Sequence, residues 1–332
     1  MRKLIIIIAL LPAGCGEDPG GKSQDCVQLA DIPLAGVTAM AISPDANSVV
    51  IGHQGLTLYD FRSGDSLSFG AADGMASDEV ADIAIASDGT IWVGHAMALC
   101  ADTQTGQCGA SKRAPDGAWT RHDRDGTDLH DGRILTVAVA PDGELWAGTP
   151  GGATHTVDGW GWASYAGWQS CASPGAQCDP LFSFQLGDID FAANGAAWMA
   201  IDQQAIGVSP KPGGFARRNT DTTTDTWDLD HGLPQNRATT AGSIDGDSAL
   251  AGGPWGAAWV SISGVEVLAE TAAQVAAGDY AWMATDGALV RNPHSAPLTL
   301  ETGAIDVLAA DHDVVCYATG GRVRCSTESC PQ

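Results

Sequence analysis

The chain has 332 residues, with 42 Gly, 17% charged residues and a formal net charge of −24. That length suits one large or two ordinary domains, and so much Gly with so little charge suits short strands and tight turns rather than long helices. So acidic a chain is repelled by phosphate backbones, which excludes nucleic acid as an expected partner; solubility or cation binding accounts for the charge instead.

The chain opens on MRKLIIIIALLPAGC, residues 1–15. Arg2 and Lys3 form a positive start. The apolar run at 4–11 is too short to span a bilayer and long enough for the core of a signal peptide. Leu11-Pro12-Ala13-Gly14-Cys15 resembles the bacterial lipoprotein lipobox, with Pro12 where that family usually has Leu. The resemblance implies cleavage before Cys15 and lipidation of Cys15. It implies a lipid anchor in the bacterial cell envelope, and Gly16 after the Cys favours the outer membrane; a secreted or periplasmic protein is the alternative. Residues 1–14 then form the signal peptide, 15–25 the lipidated Cys and a polar, flexible tether, and 26–332 a single domain.

Nine cysteines are an odd number for an exported chain. Lipidation of Cys15 leaves eight, which fall largely into local pairs, as an oxidising compartment favours. Cys316 and Cys325 flank YATGGRVR. If Gly320-Gly321 makes a two-residue hairpin turn, Thr319 faces Arg322 and Cys316 faces Cys325. Cys100 and Cys108 flank a second hairpin end, and Cys171 and Cys178 a loop. Cys26 and Cys330 remain, near the two ends of the domain. Free buried thiols are the alternative for any of these pairs.

Along the domain one phrase recurs: an apolar alternating strand, a turn, then a second strand ending in a small residue. Its clearest copy is AVAPDGELWAG, ending at Gly148. Other copies end at Gly52, Gly94, Ala200, Gly252, Ala284 and Ala318. Trp92, Trp146, Trp198 and Trp282 share one position of the phrase, which Val50, Leu250 and Cys316 fill elsewhere. Each unit predicts four strands, and such sheets bury both faces only by stacking radially. The expected fold is all-β, a seven-bladed β-propeller, with the shared Trp packed between blades. The last unit lacks a fourth strand, and Val27–Ile32 is predicted to supply it, closing the ring. A Cys26–Cys330 bond would fasten that closure.

DGAWTRHDRDGTDLHDGRILTVAVAPDGELWAGTPGG, residues 116–152, is similar to the two-component regulator propeller repeat. DHGLPQNRATTAGSIDGDSALAGGP, residues 230–254, keeps that repeat's Gly-Leu-Pro loop. The resemblance covers most of residues 37–325 and is strong in three units. It implies an extracytoplasmic ligand-recognition propeller, here with no room for a kinase part.

Loops on a rigid scaffold carry function, so the face holding the B–C turns and the D-to-A connections is the expected working face. His53 and His95 follow equivalent strand ends on adjacent blades. The D–A loops contribute Glu79, Asp128, His130, Arg133, Asn236 and Arg237, and the segment 167–185 contributes Trp168. Aromatics beside carboxylates, Asn and Arg suit a carbohydrate or peptide groove, although strand packing in an expanded blade is the simpler account of the Trp cluster. Paired imidazoles could bind metal or titrate near neutrality, or each could make a local hydrogen bond. DRDGTDLHDG, residues 123–132, offers oxygen ligands for Ca²⁺ without the spacing of an EF-hand loop, so no cofactor is expected and calcium is the one candidate. No nucleophile elbow, metalloprotease helix motif, P-loop or dinucleotide fingerprint is present.

These residues point to a non-enzymatic, lipid-anchored propeller binding a glycan, peptide or envelope protein on its D–A/B–C face. Two alternatives stand beside it. One is a metal-assisted propeller enzyme, lyase-like or lactonase-like, recruiting His53, His95, His130 and Glu79. The other is a structural subunit of an envelope complex.

Overall fold

The computed structural model describes residues 28–95, 109–122, 132–150, 152–156, 163–164, 185–202, 214–221, 223–271, 273–278, 280–285, 288–291, 298–302 and 304–327. Signal peptide, tether, Cys15, and the Cys26–Cys330, Cys100–Cys108 and Cys171–Cys178 pairs lie outside them, as do Asp128, His130 and Trp168. The described residues form seven four-stranded antiparallel sheets. Their inner strands are Ala39–Ile42, Asp82–Ile85, Thr136–Val139, Gln185–Phe191, Thr240–Ser243, Ala273–Ala277 and Val307–Asp311, numbered here as blades 1 to 7. Each inner strand packs beside those of the blades before and after it, and the seventh meets the first. The fold is a seven-bladed β-propeller. In blade 7 the outer strand is Gln28–Pro33, antiparallel to Arg322–Thr327, with Ile32 opposite Val323. Asp31 Oδ1 accepts from Arg322 Nε across this pair at 2.7 Å.

Turn chemistry explains the recurring phrase. In the A–B turns, Asp88, Asp142 and Asn194 each accept the backbone N–H two residues on, and a Gly follows each of them. Gly89 holds φ +84°, a conformation Gly adopts without the steric cost a Cβ would bring. The small residue ending strand B has a different cause. A Cβ on Gly52 would meet Val80 Cγ1 at 2.5 Å, and one on Gly94 would meet Ile134 Cγ2 at 2.7 Å. The next blade comes too close for a side chain there.

The shared position of strand B is the wedge between blades. Trp92, Trp146, Trp198 and Trp282 are all buried, and each falls in one apolar cluster with residues of the following blade. Trp198 shares its cluster with Ala241, Ala249 and Ala251 of blade 5. On strand C every one of these Trp faces a basic residue or a histidine: Lys112, His155, Arg217 and Arg291 respectively. The Lys112 ammonium lies 4.9 Å from the Trp92 ring and the Arg217 guanidinium 5.6 Å from Trp198. In blade 7 the same pair of positions holds Cys316 and Cys325, joined by a disulfide, with Thr319 opposite Arg322 at the Gly-Gly turn.

Side chains on the inner strands tie the blades together around the axis. Thr38 donates to Val80 O at 2.7 Å, joining blades 1 and 2. Asp82 accepts from Val137 N at 2.8 Å, joining 2 and 3. Asp188 and Asp190 accept from Ala241 N and Ser243 N, at 2.9 and 2.6 Å, joining 4 and 5. Thr240 accepts from Val275 N, and Gln274 donates to Asp306 O, joining 5 to 6 and 6 to 7.

Candidate ligand pocket on the loop face

Two D–A loops are built alike. Ala71–Asp73 and Leu229–His231 are single 3-10 turns, each followed by a Gly with positive φ, Gly74 and Gly232. Beyond each Gly a buried apolar side chain plugs the blade: Met75 in one loop, Leu233 in the other. Seven residues past each turn's first residue, a side-chain oxygen caps it. Asp78 Oδ1 accepts from Ala71 N at 2.7 Å, and Asn236 Oδ1 from Leu229 N at 2.8 Å. Asn236 therefore spends its carbonyl oxygen on shaping its own loop.

The first of these loops borders a cavity of about 860 Å³ beside blades 1 and 2, lined by His53, Gln54, Asp78, Glu79, Thr38 and Gly36 among others. Gln54 and Glu79 form an isolated bridge across it. His53 is half-buried; its Nε2 lies 2.9 Å from Thr57 Oγ1, and burial pushes its pKa below the usual imidazole value.

His95, at the equivalent position of the next blade, is fully buried. Its Nδ1 lies 2.7 Å from Glu79 O, and a carbonyl can only accept, so Nδ1 carries a proton. Its Nε2 lies 2.8 Å from Ser111 Oγ, which also accepts from Ala76 N at 2.8 Å. Burial lowers the His95 pKa, against the Glu79 carbonyl and the Asp78 charge, which raise it. A neutral imidazole accepting from the Ser111 hydroxyl satisfies every atom of this chain. His95 thus stands behind the pocket and holds Glu79, while His53 lines it.

The remaining described candidates lie elsewhere on the face. Arg237 pairs with the nearly buried Asp202, Nε to Oδ1 at 2.5 Å, and its backbone carbonyl accepts from the Trp255 indole. Arg133 is half-buried just ahead of blade 3. Neither Arg nor Asn236 is among the residues lining the His53 pocket. Among the described residues no group of three or more His, Cys, Asp or Glu is arranged to hold a metal ion. The calcium candidate falls almost wholly on residues 123–131, outside the described residues.

Sequence reading overlooked the axial channel, a cavity of about 640 Å³ lined by all seven inner strands. Among the described residues, Asp82, Asp188, Asp190, Asp306 and Asp311 line it, with His312 and no Lys or Arg. Burial raises Asp82 and Asp190 to about 6 and Asp188 well above its usual value. The available signal was a charged residue inside an apolar strand, in ADIAI and GDIDF.

No family model matches the chain, and no curated protein matches it in sequence. Solved structures do resemble it. Virginiamycin B lyase from Staphylococcus aureus aligns with a TM-score of 0.65 and 13% identity, over 90% of this chain and 98% of its own. The WD40 repeats of RRP9 align at 0.63 and 11%, over 91% and 97%. PorZ, a bacterial surface component of the type-IX secretion system of Porphyromonas gingivalis, aligns at 0.59 and 13%, over 89% of this chain and 37% of PorZ. Identities this low carry the fold alone, and the fold they share with this chain is the β-propeller.

Proposed function

We propose that the chain is a non-enzymatic propeller of the bacterial cell envelope, tethered by a lipid on Cys15. It binds a glycan, a peptide or an envelope protein on its D–A/B–C face. The kinship with two-component regulator propeller repeats belongs to this reading. The observation that carries it is the His53–Glu79 pocket, a cavity of ligand size on a loop face. The neighbouring His95 supports binding over metal-assisted lyase or lactonase chemistry, because its two ring nitrogens are already engaged in the interior.

A thermal-shift screen of the mature chain tests the reading, with glycan fragments and short peptides, in EDTA and in Ca²⁺. A ligand at 100 times its Kd adds about 2.7 kcal/mol to stability. The expected outcome is a shift with one ligand class, abolished by Glu79→Ala. No shift with any probe, from a protein that still melts cooperatively, would move the reading to a structural subunit of an envelope complex. Metal-dependent turnover lost on His53→Ala would move it to an enzyme. A Cys15→Ser variant remaining in the membrane fraction would remove the lipid anchor.

A further inference from the structure

We propose that Asp82, Thr136 and Asp188 form a proton-binding site in the axial channel, whose single shared proton clasps blades 2, 3 and 4 together. Thr136 Oγ1 lies 2.8 Å from Asp82 Oδ2 and 3.4 Å from Asp188 Oδ1. One hydroxyl has one hydrogen to give. It goes to Asp82, the closer oxygen. Two carboxylates therefore converge on one hydrogen, and Asp188 gains a full bond to the hydroxyl only by carrying a hydrogen of its own.

The remaining bonds fit that assignment. With the Thr136 hydroxyl and the backbone N–H groups of Ile83 and Val137, each at 2.8 Å, Asp82 accepts from three donors and is the better held as an anion. Asp188 accepts from Ile189 N on Oδ1 and Ala241 N on Oδ2, both at 2.9 Å. A shift of register between Leu186 and Asp188, a bulge at Gly187, aims the side chain at this point.

Charge pushes the same way. The titratable groups facing the site are Asp190 on the same strand and Asp306, Asp311 and His312 of blade 7. Asp82 and Asp190 both raise Asp188 by repulsion. His312 is largely exposed and lies 4.0 Å from Asp311, which it serves first. Among the described residues no Lys or Arg lines the channel, and a proton is the charge that neutralises the pair. Both carboxylates keep an edge on the channel, so the proton can come and go without unfolding.

The sign follows from linkage. A carboxyl raised in the folded state holds its proton where the unfolded chain has lost it, so folding takes up a proton. The stabilisation is complete below the unfolded value of 3.8 and is lost as pH rises through the raised value of Asp188, where the pair gives up its one proton.

The test is thermal melting of the full chain between pH 5 and 8, for wild type, Asp188→Asn and Asp82→Asn. The wild type should lose about 5 °C over that range. Asp188→Asn places a permanent donor beside Thr136, so it should match wild type at pH 5 and melt higher at pH 8. Asp82→Asn turns one of the two oxygens that three donors use into an NH2 facing those donors, so it should melt lower at every pH. An Asp188→Asn profile parallel to the wild type would overturn the proposal. So would a Ca²⁺-dependent rise at pH 8 that Asp188→Asn abolishes, which would put a cation between the carboxylates. Should a variant not fold, carboxyl ¹³C titration of the wild type decides: one step of the pair near neutrality supports the site, and two ordinary steps near 4 overturn it.

Discussion

Blades 4 and 7 solve one packing problem in two ways. In blade 4, Trp198 on strand B faces Arg217 on strand C. In blade 7, Cys316 faces Cys325 and a covalent bond replaces the cation–aromatic contact. The difference follows what each wedge meets. Trp198 shares its cluster with Ala241, Ala249, Ala251 and Ala258 of the next blade, and with Val260 and Trp255 at their margin, whereas Cys316 shares its own with Met40, Ile42, Val49 and Ile51 of blade 1. A large side chain meets small ones in the first case and a small one meets large ones in the second. Interiors fill to nearly constant density, so what is kept from blade to blade is the volume of the interface, not the residue.

The comparison can be broken by experiment. Trp198→Ala should have the largest effect, because it strips the stacking partner from Phe215 and Trp227 and leaves a space that the alanines of blade 5 are too short to fill; the expected loss is about 4 kcal/mol, read from urea unfolding. Cys316→Ala with Cys325→Ala should cost less, about 2.5 kcal/mol for so short a loop. Reductant should lower the melting temperature of the wild type and leave the double variant unmoved. If reductant has no effect, the covalent half of the comparison fails. Arg217→Leu should cost least. Its guanidinium lies over Trp198 and reaches the exposed Asp247 at 2.9 Å, and a stack and an exposed ion pair of this kind are worth about 1 kcal/mol together. A loss as large as that of Trp198→Ala would mean that the cation, not the ring, holds the wedge.

The reading of the candidate site divides along burial. His53 and Glu79 were legible because a residue after a strand end, or in a D–A loop, must sit on one face of any propeller. Their shared pocket follows from blade order. His95 carried the same sequence signal as His53, yet the structure puts it inside, held between Glu79 and Ser111. Ser111 lies 16 residues along the chain on another strand, and no local pattern announces it. Asn236 was legible as a loop residue, but its capping of Leu229 depends on a turn that only the folded loop defines.

Local sequence is enough to specify the repeating unit. Alternation, Asp-Gly turns and a small residue at each strand end are local requirements of a twisted hairpin, so each copy declares itself within a dozen residues. The seven repeats, the wedge position and the Cys316–Cys325 register were all readable on that basis. Tertiary structure alone decided what lies between units. The basic residues and histidine opposite the four Trp, the alanines that receive Trp198 and the aspartates that clasp neighbouring inner strands all join residues of different strands or blades. Asp188, with Thr136 on one side and Ala241 on the other, is 52 and 53 residues from its partners. In sequence it is a lone charge in an apolar strand; closing the ring brings its partners to it and burial gives it a reason to keep a proton.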